Sequence, residues 1–306
     1  MDEAWLGIDL GGTNTKVGLV DAGGLVARER FKTKAVQGTS QWLDNLRAAV
    51  DKLGGHELQP VAAGVASPGI IQRPQGVVTR SPNLPAWNGF ALAQEVGRAL
   101  DLPARVENDA NCYALGEYHF GAGKGRDLAC FTLGTGVGGG LIIDGKLVIG
   151  PLGTGGELGH TMAVSDGRTC GCGAQGCVES YASATGLLGM LSEALEQGKK
   201  TSLNRESQAS DIGSAAQAGD ALAQELLDEA GRALGRAFAN VATFTGLDLI
   251  IIGGGVSPAW PLMASAAAEA MEERLHLVAP SRIDIRLARL GDDAPLLGAA
   301  AIARDI

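Results

Sequence analysis

The sequence lacks the features that mark several classes of protein. Only 4% of its 306 residues are aromatic, and acidic residues outnumber basic ones by 34 to 25, giving a net charge of −9. A surface of that sign does not suit recognition of the nucleic-acid backbone. No apolar run reaches the ~18 residues of a membrane span, and the N-terminus has no cationic signal-peptide start. We therefore expect a cytoplasmic protein without nucleic-acid or membrane partners.

Cysteine is also scarce, because five residues are too few for a disulfide scaffold in a chain of this length. Three of them, Cys170, Cys172 and Cys177, lie close together, and His160 precedes them. One imidazole and three thiolates form the Cys₃His set of a structural zinc site, although unligated thiols are the alternative. Four protein ligands leave no open position, so we expect this zinc to order its loop and not to activate water.

Glycine is abundant, with 46 residues, and its clusters follow apolar runs. Residues 5–10 and 128–133 read as strands that end in glycine-rich turns, each followed by another strand. The two patterns stand 123 positions apart and indicate two related half-molecules with a cleft between them. Further strands are predicted at 16–21, 25–34, 61–66, 104–107, 141–143, 146–148 and 249–252. Helices are predicted at 40–52, 91–99, from 108 and at 294–303, and the sequence from 179 to 244 is expected to be largely helical. The pattern is that of an α/β protein.

The second glycine cluster contains the spacing G-x-G-x-x-G at residues 134–139. A dinucleotide site requires that this spacing open a helix, whereas here it opens a β-hairpin with its turn at Asp144-Gly145. Backbone N–H groups of a glycine-rich turn can instead bind phosphate oxygens, with a tight hairpin turn as the alternative. Beside the first cluster, Asp9 could hold Mg²⁺, directly or through water, and Lys16 could reach phosphate, with a turn-capping carboxylate as the alternative for Asp9.

A further carboxylate, Asp109, stands at a predicted strand-to-helix junction. Phosphoryl transfer to an alcohol needs a carboxylate that accepts the hydroxyl proton, and Asp109 is our candidate for that base. The alternative is a helix N-cap, a role that Asn108 or Asp109 could fill by residue type.

Several segments together carry a family resemblance, and they are Asp9–Lys16, Glu107–Asn111, Leu133–Gly140, Gly155–His160 and Cys170–Glu179. In order and spacing they resemble the bacterial ROK family of sugar kinases and repressors, within the actin, hexokinase and Hsp70 ATPase superfamily. The resemblance runs from residue 6 to about residue 300. It implies a two-domain actin-like ATPase (ribonuclease H-like) fold with an interdomain active-site cleft. We expect a small domain of residues 1–110 with 294–306, and a large domain of residues 111–293 that carries the zinc loop.

The resemblance also assigns roles to individual residues. It implies ATP with Mg²⁺ at Asp9, Gly11, Gly12, Thr13, Asn14, Lys16, Gly134, Thr135 and Gly136, and adenosine at Gly254 and Gly255. It implies sugar binding by Asn83, Asn108, Asp109, Glu157, His160 and Glu179, with Asp109 as catalytic base and with structural zinc on His160, Cys170, Cys172 and Cys177. From the residues alone, the Gly254 segment is only a strand-end turn, and Glu157 and Glu179 could be surface carboxylates of the zinc loop.

The function expected from the resemblance is ATP-dependent phosphorylation of a hexose at its 6-hydroxyl. Glucose is favoured because residues 81–88 are similar to a loop of ROK glucokinases, while N-acetylglucosamine and N-acetylmannosamine kinases share nearly the same motifs. A non-catalytic sugar-sensing ROK regulator is the alternative of another class. Such regulators carry a helix-turn-helix before the first phosphate motif, and the strand predicted from residue 5 leaves no room for one. A homodimer is expected because dimers are common in the family. Ser67 stands at a position where many relatives have a small apolar residue, and nothing in the sequence explains this difference.

Overall fold

The computed structural model describes residues 3–34, 38–54, 58–81 and 84–306. Its strands, numbered in chain order, are β1 (Ala4–Leu10), β2 (Asn14–Asp21), β3 (Gly24–Lys32), β4 (Pro60–Ser67), β5 (Ile70–Gln72), β6 (Val77–Arg80), β7 (Ala104–Asn108), β8 (Leu128–Leu133), β9 (Val137–Ile143), β10 (Lys146–Leu147), β11 (Leu249–Gly253) and β12 (Asp284–Leu287). Its helices are α1 (Thr39–Leu53), α2 (Leu92–Leu100), α3 (Asp109–His119), α4 (Glu179–Ala182), α5 (Ala184–Glu196), α6 (Ala209–Gln217), α7 (Ala221–Thr245), α8 (Trp260–Glu272) and α9 (Ala294–Ala303). Within the described ranges, no helix is both long and apolar enough to cross a membrane.

The chain divides into two compact units. The first unit is Met1–Asp127 with Gly140–Gly156 and Arg289–Ile306, and the second is Leu128–Gly139 with Glu157–Ala288. Compared with the predicted domain boundaries at 110 and 293, the first unit also includes α3 and the segment 140–156. The packing of α3 against α9 explains its place, because a Cβ on Gly116 would lie 2.2 Å from the carbonyl oxygen of Ala294.

The first unit contains a mixed sheet with the strand order β3-β2-β1-β4-β7. Strand β1 pairs antiparallel with β2 and parallel with β4, which pairs parallel with β7. The central strands are buried on both faces. Leu6 and Ile8 of β1 join a core with Trp42 of α1, whereas Trp5 packs in a separate cluster with Leu296 of α9.

Helix α9 lies directly on this sheet because glycine occupies the contact positions of the two central strands. A Cβ on Gly7 would lie 2.1 Å from the carbonyl oxygen of Leu296, and one on Gly64 would lie 1.7 Å from that of Ala299. Real Cβ atoms do not come so near, so a larger residue would force the helix off the sheet.

The second unit contains the parallel strands β8, β11 and β12, and also the first three residues of β9, 137–139. Strand β11 is buried along its whole length, as expected for a parallel strand inside an α/β protein. Helices α7 and α8 also meet through small residues, since a Cβ on Gly235 would lie 2.1 Å from the carbonyl oxygen of Ala267.

The predicted strands and helices are confirmed, including the hairpin of β9 and β10. Its turn residues Asp144 and Gly145 have φ of 52° and 70°, as a two-residue hairpin turn of this type requires. Strand β9 begins at Val137, so the second glycine-rich turn is limited to residues 134–136. The β5–β6 hairpin, α8 and β12 were not predicted from the sequence. Strands β5 and β12 have only three and four residues, too few to show a periodic pattern.

Candidate active site

The first glycine-rich turn joins β1 to β2 in the first unit. Gly11 donates its N–H to the carbonyl of Asn14 at 3.1 Å and so closes the turn. Thr33, just after β3, donates its hydroxyl to the Gly11 carbonyl at 2.6 Å and its N–H to the Thr13 carbonyl at 2.9 Å. Gly12 and Thr13 remain exposed. The turn is therefore fixed by its neighbours while its two middle residues face solvent.

Asp9 and Lys16 face each other across the β1–β2 pair, next to this turn. The ammonium of Lys16 lies 3.3 Å from the Asp9 carboxylate and also donates to the carbonyl of Asp292. Burial raises the pKa of Asp9, the Lys16 charge opposes that shift, and the carboxylates of Asp292 and Asp293 add to it. Because Lys16 offsets the cost of burying the Asp9 charge only in part, a bound cation would stabilise the carboxylate further.

The junction of β7 and α3 distinguishes the roles of Asn108 and Asp109. The Asn108 side chain caps α3, since its oxygen accepts from the N–H groups of Ala110 and Asn111 at 2.9 and 3.2 Å. Its amide also donates to the carbonyl of Gly69 at 3.1 Å. Asp109 follows as the first helical residue, half-buried, and accepts from the Ala110 N–H at 3.0 Å. The capping role thus falls mainly to Asn108.

Glu107 supports this junction from inside the protein, a role that the sequence analysis did not assign. The carboxylate is buried and accepts from the N–H of Asn108 at 2.7 Å and from the side chain of Asn111 at 2.9 Å. Arg73 donates to it from two nitrogens, one at 2.7 Å, and to the carbonyl of Gly153 at 3.1 Å. The only feature of the sequence that could have indicated this supporting role is that Glu107 directly precedes Asn108 and Asp109.

The second glycine-rich turn joins β8 to β9 in the second unit. Gly134 donates its N–H to the carbonyl of Gly136 at 2.9 Å and so closes the turn. Two residues at the start of α5 hold it: Ala184 donates to the Gly134 carbonyl at 2.8 Å, and the Thr185 hydroxyl donates to the Thr135 carbonyl at 2.8 Å. As in the first turn, the first glycine closes the turn and the following residue is exposed.

Glu179 lies over this turn. Its carboxylate accepts from the N–H of Val137 at 3.0 Å, and a Cβ on Gly136 would lie 2.4 Å from the carboxylate oxygen. Glu179 and Gly136 both line a cavity of about 410 Å³ together with Thr135. A carboxylate expected to bind sugar and a turn expected to bind phosphate therefore share one cavity in the second unit.

The cysteine cluster is assembled as the sequence predicts. Ligand atoms of His160, Cys170, Cys172 and Cys177 all lie within 4.8 Å of one another. The sulfur of Cys170 is 3.7 Å from Nδ1 of His160, and the sulfurs of Cys172 and Cys177 are 3.7 Å apart. Three thiols and an imidazole at these separations fit a four-coordinate structural zinc site. Cys170 also donates to Glu179 at 3.4 Å, so the cluster contacts the carboxylate above the second turn.

Glu157 precedes a short 3₁₀ turn, Leu158–His160, which packs against the start of β9. The contact is close, because a Cβ on Gly159 would lie 1.9 Å from the carbonyl oxygen of Val137. The side chain of Glu157 is exposed. The turn thus presents Glu157 beside His160 and near the segment that Glu179 covers.

The turn after β11 lies next to the end of β8. Val256 donates its N–H to the carbonyl of Leu133 at 2.9 Å. Gly254 has φ of 86°, and a Cβ there would lie 2.5 Å from that same carbonyl oxygen. A Cβ on Gly255 would meet nothing within 4 Å. Ligands of parallel α/β sheets bind at the carboxyl ends of the strands, where this turn lies.

The structure thus groups the predicted residues in two sets. Asp9, Gly11, Gly12, Thr13, Asn14, Lys16, Asn108 and Asp109 lie in the first unit, whereas Gly134, Thr135, Gly136, Glu157, His160, Cys170, Cys172, Cys177, Glu179, Gly254 and Gly255 lie in the second. Asn83 lies outside the described residues.

Comparison with known proteins decides the family. A model of the ROK family matches residues 5–306, which is nearly the whole chain. The chain belongs to the ROK family. The resemblance seen in the motifs is therefore confirmed.

Two curated relatives and one solved structure are similar over nearly their full lengths. Glucokinase from Thermotoga maritima is 33% identical over 98% of this chain and 97% of its own. N-acetylmannosamine kinase from Escherichia coli O157:H7 is 35% identical over 98% of both chains. A ROK glucokinase from Streptomyces griseus, solved in complex with glucose and AMPPNP, is 32% identical with a TM-score of 0.78, over 99% of this chain and 100% of that chain. The predicted α/β fold of the actin-like ATPase type is confirmed.

Proposed function

We propose that this ROK protein is an ATP-dependent sugar kinase that phosphorylates a hexose at its 6-hydroxyl, with glucose as the preferred substrate. The observation that carries the proposal is full-length similarity to glucokinases, one of them solved with glucose and AMPPNP. The ordered carboxylate Asp109 at the start of α3 supplies the group that such a reaction needs.

Asp109 is the proposed catalytic base. It accepts the proton of the 6-hydroxyl as the sugar oxygen bonds to the γ-phosphorus and the bond from that phosphorus to ADP breaks. Its place in the structure suits this role because Asn108 provides two hydrogen bonds to the helix N-terminus. The helix does not depend on Asp109 for its cap.

The two glycine-rich turns are the proposed phosphate sites. Gly11, Gly12, Thr13 and Asn14 form the first, Gly134, Thr135 and Gly136 form the second, and Gly254 with Gly255 contacts adenosine. Within each phosphate turn we assign the donor role to the exposed residues after the first glycine, because the N–H of Gly11 and that of Gly134 already bond within the protein. Mg²⁺ held by Asp9, directly or through water, would neutralise phosphate charge, with Lys16 beside it.

The sugar hydroxyls are assigned to Asn83, Asn108, Glu157, His160 and Glu179. Carboxylates suit paired hydroxyls because each oxygen accepts a separate hydrogen bond. Zinc on His160, Cys170, Cys172 and Cys177 would order the loop between Glu157 and Glu179. The Cys170 sulfur lies 3.4 Å from the Glu179 carboxylate, so a zinc held there would lie close to Glu179.

A second candidate substrate is N-acetylmannosamine, since a kinase for that sugar is 35% identical to this chain. N-acetylglucosamine is a further alternative and is compared in the same assay of sugar substrates. Discrimination between these sugars depends on space around C2 of the ring, where an acetamido group replaces a hydroxyl.

We further propose that the protein acts in the cytoplasm, where ATP is available, and that it forms a homodimer. Size-exclusion chromatography with light scattering would measure the mass in solution, and a monomeric mass at working concentrations would contradict the dimer.

The deciding experiment measures ADP release with Mg·ATP for glucose, mannose, fructose, allose, N-acetylglucosamine and N-acetylmannosamine. We expect glucose to give the highest kcat/KM, the ratio that defines discrimination. N-acetylmannosamine at the top would replace glucose with the second candidate. No turnover with any sugar, in protein shown to contain zinc, would contradict the proposed kinase activity.

A further inference from the structure

A separate cavity of about 450 Å³ lies in the first unit beside β7, the edge strand of its sheet. Helices α3 and α9 and the segment around β10 provide apolar walls through Leu115, Leu147, Ile149 and Ile302. The volume lies within the usual range for sites of small molecules. None of the residues proposed above for ATP or sugar binding lines this cavity.

The charges around the cavity leave one net positive charge. Arg73 and Glu107 form an ion pair and neutralise each other. That leaves the cations Arg105 and Lys146 against the carboxylate of Asp305. Both cations are exposed, and neither has an ion-pair partner in the part of the chain that the structure describes. The protein as a whole has a net charge of −9, so this pocket differs from its surroundings. Its local positive charge favours a ligand with a single negative charge.

His119 adds a hydrogen-bonding group to the same pocket. Burial lowers its pKa below the ordinary value, and the charge of Arg304 lowers it further, while Asp305 opposes the shift. The imidazole is therefore neutral at pH 7 and leaves the charge balance unchanged.

We propose that this cavity binds a small monoanion with an apolar body, and that its occupant controls the junction that holds Asp109. The apolar walls take the body, and Arg105 and Lys146 take the charge. Glu107 provides the link, because it lines the cavity while accepting from the N–H of Asn108 at 2.7 Å. Arg73 lines the same cavity, so an apolar body that fills it displaces the guanidinium from Glu107 and loosens that support.

Binding to the cavity can be tested without measuring turnover. The probe is anilinonaphthalene sulfonate, a fluorescent monoanion with an apolar body, titrated in saturating glucose and AMPPNP to protect the proposed substrate sites. We expect one saturable site whose Kd rises at least ~10-fold in Arg105→Gln/Lys146→Gln, because hydrogen bonds to charged groups are lost. The neutral analogue N-phenyl-1-naphthylamine should bind both proteins alike. Lys200→Gln, at an exposed lysine of the second unit, is the control for a lost charge.

Equal Kd values for the sulfonate in wild-type protein and in Arg105→Gln/Lys146→Gln would overturn the site, as would the absence of saturable binding. Ile149→Trp should weaken both probes by filling the cavity, and this variant stays informative if the double variant fails to fold.

Control of Asp109 rests on the proposed function and is measured separately. The sulfonate should lower kcat at least ~5-fold in wild-type enzyme, at the concentration that saturates binding, and should leave the double variant unaffected. Saturable binding with unchanged kcat would overturn the control step. A wild-type protein that binds the probe but phosphorylates no sugar would instead contradict the proposed kinase activity.

Discussion

The sharpest prediction concerns Asp109→Asn. Asparagine has the same shape and can still accept the Ala110 N–H that Asp109 accepts at 3.0 Å. The variant loses a negative charge in the first turn of α3, which costs less than about 1 kcal/mol. Loss of a general base lowers kcat by about 10²–10⁴-fold, or roughly 3–5 kcal/mol in the barrier. Turnover should therefore collapse while the fold and ligand binding remain.

Asn108→Ala is the matched control, since it removes the adjacent side chain but not the carboxylate. It deletes two hydrogen bonds to the start of α3 and one to the Gly69 carbonyl. Loss of such a cap costs about 0.5–2 kcal/mol. Each kcal/mol lowers Tm by roughly 2–4 °C in a domain of this size. This variant should thus lose stability and, because Asn108 is also assigned to the sugar hydroxyls, bind glucose more weakly, but it should keep far more kcat than Asp109→Asn.

The assay pairs steady-state kinetics with thermal unfolding and with calorimetric binding of glucose and AMPPNP. Near-normal kcat in Asp109→Asn would remove Asp109 as the base. A fall in Tm as large as that of Asn108→Ala would show that Asp109 also caps the helix, contrary to the hydrogen bonds described above.

Three other perturbations test separate parts of the structure. Cys172→Ser should lose zinc, measured by elemental analysis, and weaken glucose binding in calorimetry; zinc-free wild-type protein would end the argument for an ordered loop. Asp9→Asn tests the raised pKa of Asp9. Between pH ~3.8 and that raised pKa, the Asp9 carboxyl is protonated in the folded protein but ionised in the unfolded chain. Wild-type stability therefore falls as pH rises through this range and levels off above it. Without Mg²⁺, the Tm difference between Asp9→Asn and wild type should grow in favour of the variant through that range, and a difference independent of pH would contradict the shift. Gly64→Ala should cost about 3 kcal/mol or more because its Cβ would lie 1.7 Å from the Ala299 carbonyl oxygen. The control Gly213→Ala, in α6, should be neutral or stabilising by up to ~1 kcal/mol, because its Cβ would meet nothing nearer than 3.8 Å; equal urea midpoints for the two would refute the packing argument.

The parts of the site that were predictable from the sequence are local ones. The four proposed zinc ligands are close in the chain, and a spacing with tight glycine turns brings them together without knowledge of the rest of the fold. The two glycine-rich turns were predictable because each interrupts an apolar run at the end of a strand. The fold class followed from the same alternation of strands and helices.

The missing parts depend on contacts between distant segments. Arg73 and Glu107 are 34 residues apart, and Arg73 lies in the connection between β5 and β6. Neither short strand shows a pattern that would place an arginine beside the junction of β7 and α3. The choice between Asn108 and Asp109 as helix cap was likewise open, because residue type suits both and only the hydrogen bonds distinguish them.

The hydrogen bonds extend the internal repeat beyond what the sequence indicates. Gly11 and Gly134 stand 123 positions apart, and each donates its N–H to a carbonyl of its own turn, to Asn14 and Gly136 respectively. In both turns the first glycine is thus needed for closure, and exposed Thr13 and Thr135 fall in the part that remains open. A nest of N–H groups binds anions only if its donors are not already satisfied. The repeated closure bond leaves Thr13 and Thr135 open in both turns, which supports the proposal that both bind phosphate.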